Sequence, residues 1–245
     1  HELNVVIYST GGTQKFIEEL GVPVVSVESL TSYPSILDGR VKTLHPKVFG
    51  GILARRTPEH LQTLEQYDIP PMDLVIVDLY PFEETLQSTD DEASIIEKID
   101  IGGISLIRAA AKNFNDVLVV PSKREYLPFL QLLQKENGLS SKSDRANFAA
   151  RAFDVSSHYD TLIFNYFKTK CDLDIFKSSI TQSTSLRYGE NPHQKAAFYV
   201  EHHPRQASIS TARQLQGKAL SYNNIADTDA ALECVKSFSE SPACV

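Results

Sequence analysis

Asp73-Leu74-Val75-Ile76-Val77 is a nearly continuous apolar run with no polar alternation. That is the pattern of a strand whose two faces are both covered by helices in a parallel sheet. Val117-Leu118-Val119-Val120 repeats it further along. The first run leads directly into Asp78-Leu79-Tyr80-Pro81-Phe82, and open α/β sheets bind their ligands at the carboxyl ends of strands. Upstream of it, Pro58 opens a helix to Tyr67, since proline is tolerated in a first turn. At the beginning of the chain, Leu3 to Tyr8 reads as a short strand, and Thr13 to Leu20 as a helix with Phe16, Ile17 and Leu20 inward. Val24 to Val27 is a second short strand, and Ile95 to Asn113 is helical on either side of Gly102-Gly103. This alternation of strand and helix predicts a doubly wound α/β domain around a parallel sheet.

Beyond it, Ser143 to Lys168 reads as one long helix, with Phe148, Ala149, Ala152, Phe153, Tyr159, Leu162, Ile163 and Tyr166 forming its apolar stripe. Asp144 near its start favours the helix dipole. Nothing on this helix suggests catalysis, and His158 reads as a packing or surface residue. From Thr181 the character changes to strand-like pieces, Ala196 to Val200 and Ser208 to Thr211, followed by a helix from Asp227 to Phe238. A domain boundary is expected near residue 178, dividing the chain into 1–178 and 179–245.

Composition narrows the function classes. A chain of 245 residues with 42% hydrophobic and 22% charged residues is far from the signature of disorder. No apolar run approaches the ~20 residues that span a bilayer, and the first twenty residues lack a basic segment followed by an apolar one. Membrane insertion and secretion are therefore not expected, and the cytoplasm is. Cys171, Cys234 and Cys244 are an odd number without paired spacing, so neither a disulfide framework nor a metal site is expected. A net charge of -7 has the wrong sign for general attraction to nucleic acid. One segment runs against that charge: Arg40 to Arg56 holds Arg40, Lys42, Lys47, Arg55 and Arg56 with His45 and no acid, which suggests a local anion site. The only methionine is Met72, and the chain opens at His1 and stops inside Pro-Ala-Cys-Val, so a fragment of a longer protein is expected.

Four segments carry candidate chemistry. Ser9-Thr10-Gly11-Gly12-Thr13 stands between strand and helix, where glycines let N–H groups and hydroxyls converge on a phosphate at a helix N-terminus. The same residues also read as a tight turn with Thr13 capping the helix. Gly39-Arg40-Val41-Lys42-Thr43-Leu44-His45-Pro46, if extended, puts Arg40, Lys42 and Leu44 on one face. Two cations there could hold a phosphate and polarise a substrate oxygen, and a solvated basic loop is the other reading. Tyr80, fixed in an extended conformation by Pro81, could line a pocket or pack in the core. Asp100-Ile101-Gly102-Gly103 precedes Arg108-Ala109-Ala110-Ala111-Lys112-Asn113. Asp100 could cap the helix or meet a ligand, and Lys112 could move a proton or lie on a solvated face.

Together these segments resemble the bifunctional purine-biosynthesis family that joins an inosine monophosphate (IMP) cyclohydrolase to an aminoimidazole carboxamide ribotide (AICAR) transformylase. The resemblance runs over nearly the whole chain. It continues through Leu186-Arg187-Tyr188-Gly189-Glu190-Asn191-Pro192-His193-Gln194 and Gln216-Gly217-Lys218-Ala219-Leu220-Ser221-Tyr222-Asn223-Asn224-Ile225-Ala226-Asp227. It implies a methylglyoxal-synthase-like α/β domain followed by the start of a cytidine-deaminase-like α/β domain.

For the first domain the resemblance implies ring closure of formyl-AICAR ribotide to IMP with loss of water, and no metal or redox cofactor. Ser9, Thr10, Gly11, Gly12, Arg40 and Thr43 would hold the 5′-phosphate, Thr13 and Val41 would belong to the same substrate-binding set, and Lys42 would sit near the base and its oxygens. Asp100, Ile101 and Gly102 would meet the carboxamide end, and Asp78 would stand at the base contact with Leu79 in the substrate-binding set. Tyr80 would line the pocket, and Lys112 would donate or accept the proton or stabilise the developing oxyanion. The catalytic set is thus Lys112, Asp100, Lys42 and Tyr80. Two departures stand out: the family usually has asparagine where this chain has Asp78, and its Ser-x-x-Asp-Lys loop would lie upstream of His1. For the second domain the resemblance implies formyl transfer from 10-formyltetrahydrofolate to AICAR, with Arg187 and Tyr188 contacting AICAR. The catalytic lysine-histidine pair of that reaction would fall just past Val245. A homodimer is implied. The alternatives are a lyase of small phosphorylated ketones and a non-catalytic phosphate-sensing module, both built on the same fold.

Overall fold

The structure is a computed structural model that describes residues 3–180, 182–200 and 206–239. The chain divides into two compact units, residues 1–171 and 172–245. The division thus falls a few residues before the expected position of 178, where the long helix gives way to extended chain.

In the first unit, strand β1 (Tyr8–Ser9) leads into helix α1 (Gly11–Glu19), and strand β2 (Val25–Ser26) lies parallel to β1. The short helix α2 (Val27–Thr31) follows, then α3 (Pro46–Leu53) and α4 (Pro58–Gln66). Strand β3 (Leu74–Ile76), helices α5 (Phe82–Ser88), α6 (Glu92–Glu97) and α7 (Gly102–Lys112), and strand β4 (Leu118–Val120) complete the α/β alternation. Helix α8 (Tyr126–Lys135) and the long α9 (Lys142–Lys168) end the unit.

The apolar runs at 73–77 and 117–120 pair in parallel, Leu74 opposite Leu118, Val75 opposite Val119 and Ile76 opposite Val120. Parallel neighbours require a crossover, supplied here by the segment that contains α5 to α7. Among the described residues the parallel pairing takes the form of two separate two-stranded ladders, β1-β2 and β3-β4. A cavity of about 920 Å³ is lined by both, by Tyr8 and Ser9 of β1 and by Leu74, Val75 and Ile76 of β3.

The core sits where β4, α7 and α9 pack together, around Ile107, Ala110, Val117, Val119, Val120 and Ala152, all with no exposed surface. Alanines at positions 109–111 let α7 approach β4 and α9 closely. Asn113, buried at the end of α7, donates from Nδ2 to the carbonyls of Ile52 and Ala54, and so ties α7 to the end of α3.

Several expectations are corrected. The first strand forms a ladder only at Tyr8–Ser9, and Val5 and Val6 stay exposed with no strand beside them. Helix α1 starts at Gly11, so Thr10 takes the N-cap position and Thr13 lies inside the first turn. Pro46 starts a helix, so 39–46 is not extended to its end, and α8 is a further helix beyond those that the sequence pattern predicts. Glycines 102 and 103 open α7 rather than interrupting one helix, because residues 98–101 turn the chain. On α9, Ser141 and Asp144 form a capping box, and the hydroxyl of Ser141 holds the Asp144 carboxyl below its ordinary pKa. Phe153, expected inward, is 42% exposed, with the Arg108 guanidinium over its ring.

In the second unit β5 (Gln182–Ser185) pairs antiparallel with β6 (Ala197–Val200), and helix α10 (Tyr222–Lys236) follows. The piece 208–211, expected as strand, forms a 3-10 turn at Ile209–Thr211 closed by Ser208 and Thr211. Cys171 and Cys234 are exposed free thiols, while Thr181 and Cys244 lie outside the described residues. No described helix is long and apolar enough to cross a membrane, and the described residues contain no cluster of metal-ligating side chains.

Candidate active site

The cavity brings together loops that lie far apart in the chain. Ser9, Thr10, Gly11, Gly12 and Thr13 form one wall, at the N-terminus of α1. The first N–H groups of a helix have no intrahelical partner, so this wall presents donors and a positive partial charge. Gly11 takes φ +58°, a left-handed conformation that the turn needs.

Gly39, Arg40, Lys42 and Thr43 also line the cavity. Asp38 and Gly39 both have positive φ and turn the chain, and Ile36 and Val41 form an isolated bridge that closes the loop. That turn folds Lys42 back, so a Cβ built on Gly39 would stand 2.8 Å from Lys42 Nζ and one on Gly11 would stand 3.3 Å away. The lysine ammonium therefore lies between the two loops. Thr43 Oγ1 in turn stands 3.1 Å from where a Gly102 Cβ would be, which joins the basic loop to the start of α7.

The third wall is Asp78, Tyr80, Asp100, Ile101 and Gly102. Asp100 lines the cavity, and its Oδ1 accepts the Gly103 N–H at 2.6 Å in the first turn of α7. Its Oδ2 accepts the Tyr80 N–H at a longer 3.4 Å. The Tyr80 ring is half exposed on the cavity, with Lys98 Nζ 5.7 Å from its centroid. Asp78 Oδ2 accepts the Tyr126 hydroxyl at 2.6 Å, and burial together with this carboxylate pushes the Tyr126 phenol up to about 12.

Three expected residues stand elsewhere. Val41 is used in the bridge to Ile36, and Leu79 packs into the core, so neither lines the cavity. Lys112 is exposed on the last turn of α7 and does not line the cavity either. It stands six positions, roughly 9 Å of helix, beyond Leu106, which also lines the cavity.

Four participants escaped the sequence reading. Glu97 pairs with Arg40 and raises the guanidinium pKa above its usual value. Glu28 Oε1 accepts the Thr10 hydroxyl at 2.7 Å. Tyr126 holds Asp78, and Tyr159 reaches the turn before Asp100. No local spacing signals any of these partners, which lie 18 to 59 positions away.

In the second unit the two segments that carried the resemblance meet. The Arg187 N–H donates to the Leu220 carbonyl at 2.9 Å, and the Tyr222 N–H donates to the Tyr188 carbonyl at 3.1 Å. Asn223 Nδ2 donates to the Glu190 carbonyl at 3.1 Å. Arg187 lies over the Tyr188 ring, 4.9 Å from its centroid.

Residues 1–105, which hold the serine-, threonine- and glycine-lined helix N-terminus and the lysine lying against it, match the family model described as MGS-like domain, so the first unit is of the methylglyoxal-synthase-like class. Residues 110–245 match the model described as AICARFT/IMPCHase bienzyme, and the chain belongs to that family. It is 53% identical over 241 residues to the bifunctional purine biosynthesis protein PurH of Bacteroides thetaiotaomicron, a match over 98% of this chain and 46% of that protein. The chain thus spans about half the length of this curated relative. Among solved structures it is similar to one titled "Crystal structure of ForH", with 35% identity and a TM-score of 0.57, over 68% of this chain and 87% of that one. The phospho-ketone lyase and the phosphate-sensing module are not favoured, because the matches run through both units.

Proposed function

We propose that the first unit carries the IMP cyclohydrolase site of a protein that, at full length, also transfers a formyl group from 10-formyltetrahydrofolate to AICAR. The observation that carries this reading is the convergence of the glycine loop and the basic loop on Lys42, in one cavity with Asp100 and Tyr80. Donors at one end and a carboxylate at the other suit a ribotide 5′-phosphate and a reacting carboxamide.

In the reaction the carboxamide nitrogen attacks the formyl carbon, forming the last ring bond. The carboxamide nitrogen and the formamide nitrogen each give up one proton, a C=N bond forms to the latter, and the former formyl oxygen leaves as water. Much of the acceleration available to such an intramolecular step comes from holding the two groups in contact. The α1 N-terminus, Arg40 and Thr43 fix the phosphate. Lys42 faces the oxygens that gain charge, where a preorganised cation is worth most. Asp100 accepts hydrogen from the carboxamide, and Tyr80 lines the pocket. Lys112 is assigned the proton-transfer role from the resemblance alone. The cyclisation uses no metal or redox cofactor.

The second unit supplies Arg187 and Tyr188 to the AICAR site of the transformylase, with 10-formyltetrahydrofolate as cosubstrate. The ligands are purine ribotides, formyl-AICAR, AICAR and IMP, and neither nucleic acid nor a membrane is a partner. The full-length protein is a cytoplasmic homodimer in this reading, as the resemblance implies. The test is IMP formation from formyl-AICAR ribotide by the full-length protein, and binding of the ribotide without turnover would count against it.

A further inference from the structure

Helix α9 offered no chemistry in its sequence, yet it reaches the turn that carries Asp100. Tyr159 is 7% exposed. Its Oη accepts the Asp100 backbone N–H at 2.8 Å and donates to the Lys98 carbonyl at 2.6 Å. One hydroxyl thus spans both ends of a three-residue turn, using its donor and its acceptor at once. The Asp100 carboxylate then reaches Gly103 and Tyr80, so the turn sets where that side chain meets the cavity. The Tyr159 ring is itself held edge-on by Phe82, with centroids 5.9 Å apart and planes at 63°. Burial pushes its phenol up to about 12, so at neutral pH it keeps its proton and remains a donor.

We propose that Tyr159 is a positioning residue for the cyclohydrolase site, its hydroxyl holding the turn at 98–100 so that the Asp100 carboxylate faces the substrate. This rests on the functional reading above. A tyrosine needed only for packing would be replaced by phenylalanine at no cost to chemistry. A phenylalanine here fills the same volume and leaves the Asp100 N–H and the Lys98 carbonyl without their partner. A displacement of ~1 Å in a catalytic group costs about a hundredfold in rate.

The experiment compares Tyr159→Phe with Leu162→Ala in the full-length protein. Leu162 packs against the same Phe82, Ile95 and Tyr159 cluster, so its truncation loosens the packing and spares the hydroxyl. In Tyr159→Phe the expected result is a kcat for IMP formation down by ~10- to 100-fold with KM within about threefold. Leu162→Ala is expected to lower Tm while kcat stays within about threefold of the parent. Equal kcat losses in the two variants, or an unchanged kcat in Tyr159→Phe, would overturn the proposal. Amide hydrogen exchange over residues 98–103 gives a readout that does not need turnover. Protection lost in Tyr159→Phe and kept in Leu162→Ala supports the positioning role, and protection unchanged in Tyr159→Phe overturns it. A parent that forms no IMP would sink the functional reading alone, and the exchange comparison would still decide the role of Tyr159 in holding the turn.

Discussion

Lys42 lies against Gly39 so closely that a Cβ on the glycine would stand 2.5 Å from Lys42 Cε. Gly39 also has φ +87°, where a side chain is strained whatever the space around it. Gly39→Ala should therefore cost about 1–3 kcal/mol of stability and push the ammonium out of its place between the loops. Calorimetric titration with IMP should show affinity down by roughly tenfold, the loss of one charged contact. Lys42→Met should lose similar affinity without the loss in stability. Unchanged affinity in both would remove Lys42 from the ligand site.

The pairing of Arg40 with Glu97 leads to a prediction of opposite sign. Both side chains are more than half exposed, so the pair contributes little to stability. Glu97 nevertheless competes with any phosphate for the same guanidinium. Glu97→Gln should tighten ribotide binding by about three- to tenfold with Tm unchanged. Weaker binding in this variant would show that Glu97 orients Arg40 rather than occupying it.

These partners mark how far the sequence was legible. The apolar runs at 73–77 and 117–120 announced the parallel pairing, because burial on both faces leaves a continuous hydrophobic signature. The two loops at 9–13 and 39–43 were legible for the same kind of reason, since glycines and unbalanced cations are local signals. Glu97 and Tyr159 were not, because their roles are set by tertiary contacts 57 and 59 positions away. The first strand was overread: Leu3 to Ile7 has strand propensity, but propensity without a neighbouring strand forms no ladder.

Gly103 stands where a Cβ would meet Asp100 Oδ2 at 2.7 Å and Val77 Cγ1 at 3.0 Å. Gly103→Ala should cost about 1–3 kcal/mol by overpacking and displace the carboxylate that caps α7. Urea unfolding should show the loss of stability and a turnover assay a loss of kcat. A variant as stable and active as the parent would mean that the turn yields without moving Asp100.

Alkaline pH should destabilise the first unit through two phenols. Tyr126 and Tyr159 are both raised from 10.0 to about 12, chiefly by burial. A raised pKa means that the folded state holds a proton that the unfolded state releases, so stability is whole below pH 10 and falls as pH rises toward 12. Tm measured across that window should drop less steeply in Tyr159→Phe than in the parent. Equal slopes would exclude Tyr159 from the transition.

Lys112 tests the resemblance against the position of the side chain on α7. If Lys112 moves the proton, Lys112→Ala should slow cyclisation by ~10²-fold or more while ribotide affinity stays within about threefold. A rate unchanged by the substitution would leave proton transfer to the groups that line the cavity, Asp100 first.

The most direct measurement is IMP formation from formyl-AICAR ribotide by the full-length protein, beside its Asp100→Asn variant. The amide keeps the size of the side chain and an acceptor for Gly103, and gives up the carboxylate charge. The account predicts turnover by the parent and a kcat lower by about 10²-fold or more in the variant, with ribotide affinity nearly unchanged. Equal turnover by the two proteins would contradict it, because the cavity that unites Lys42, Tyr80 and Asp100 would then not be where the ring closes.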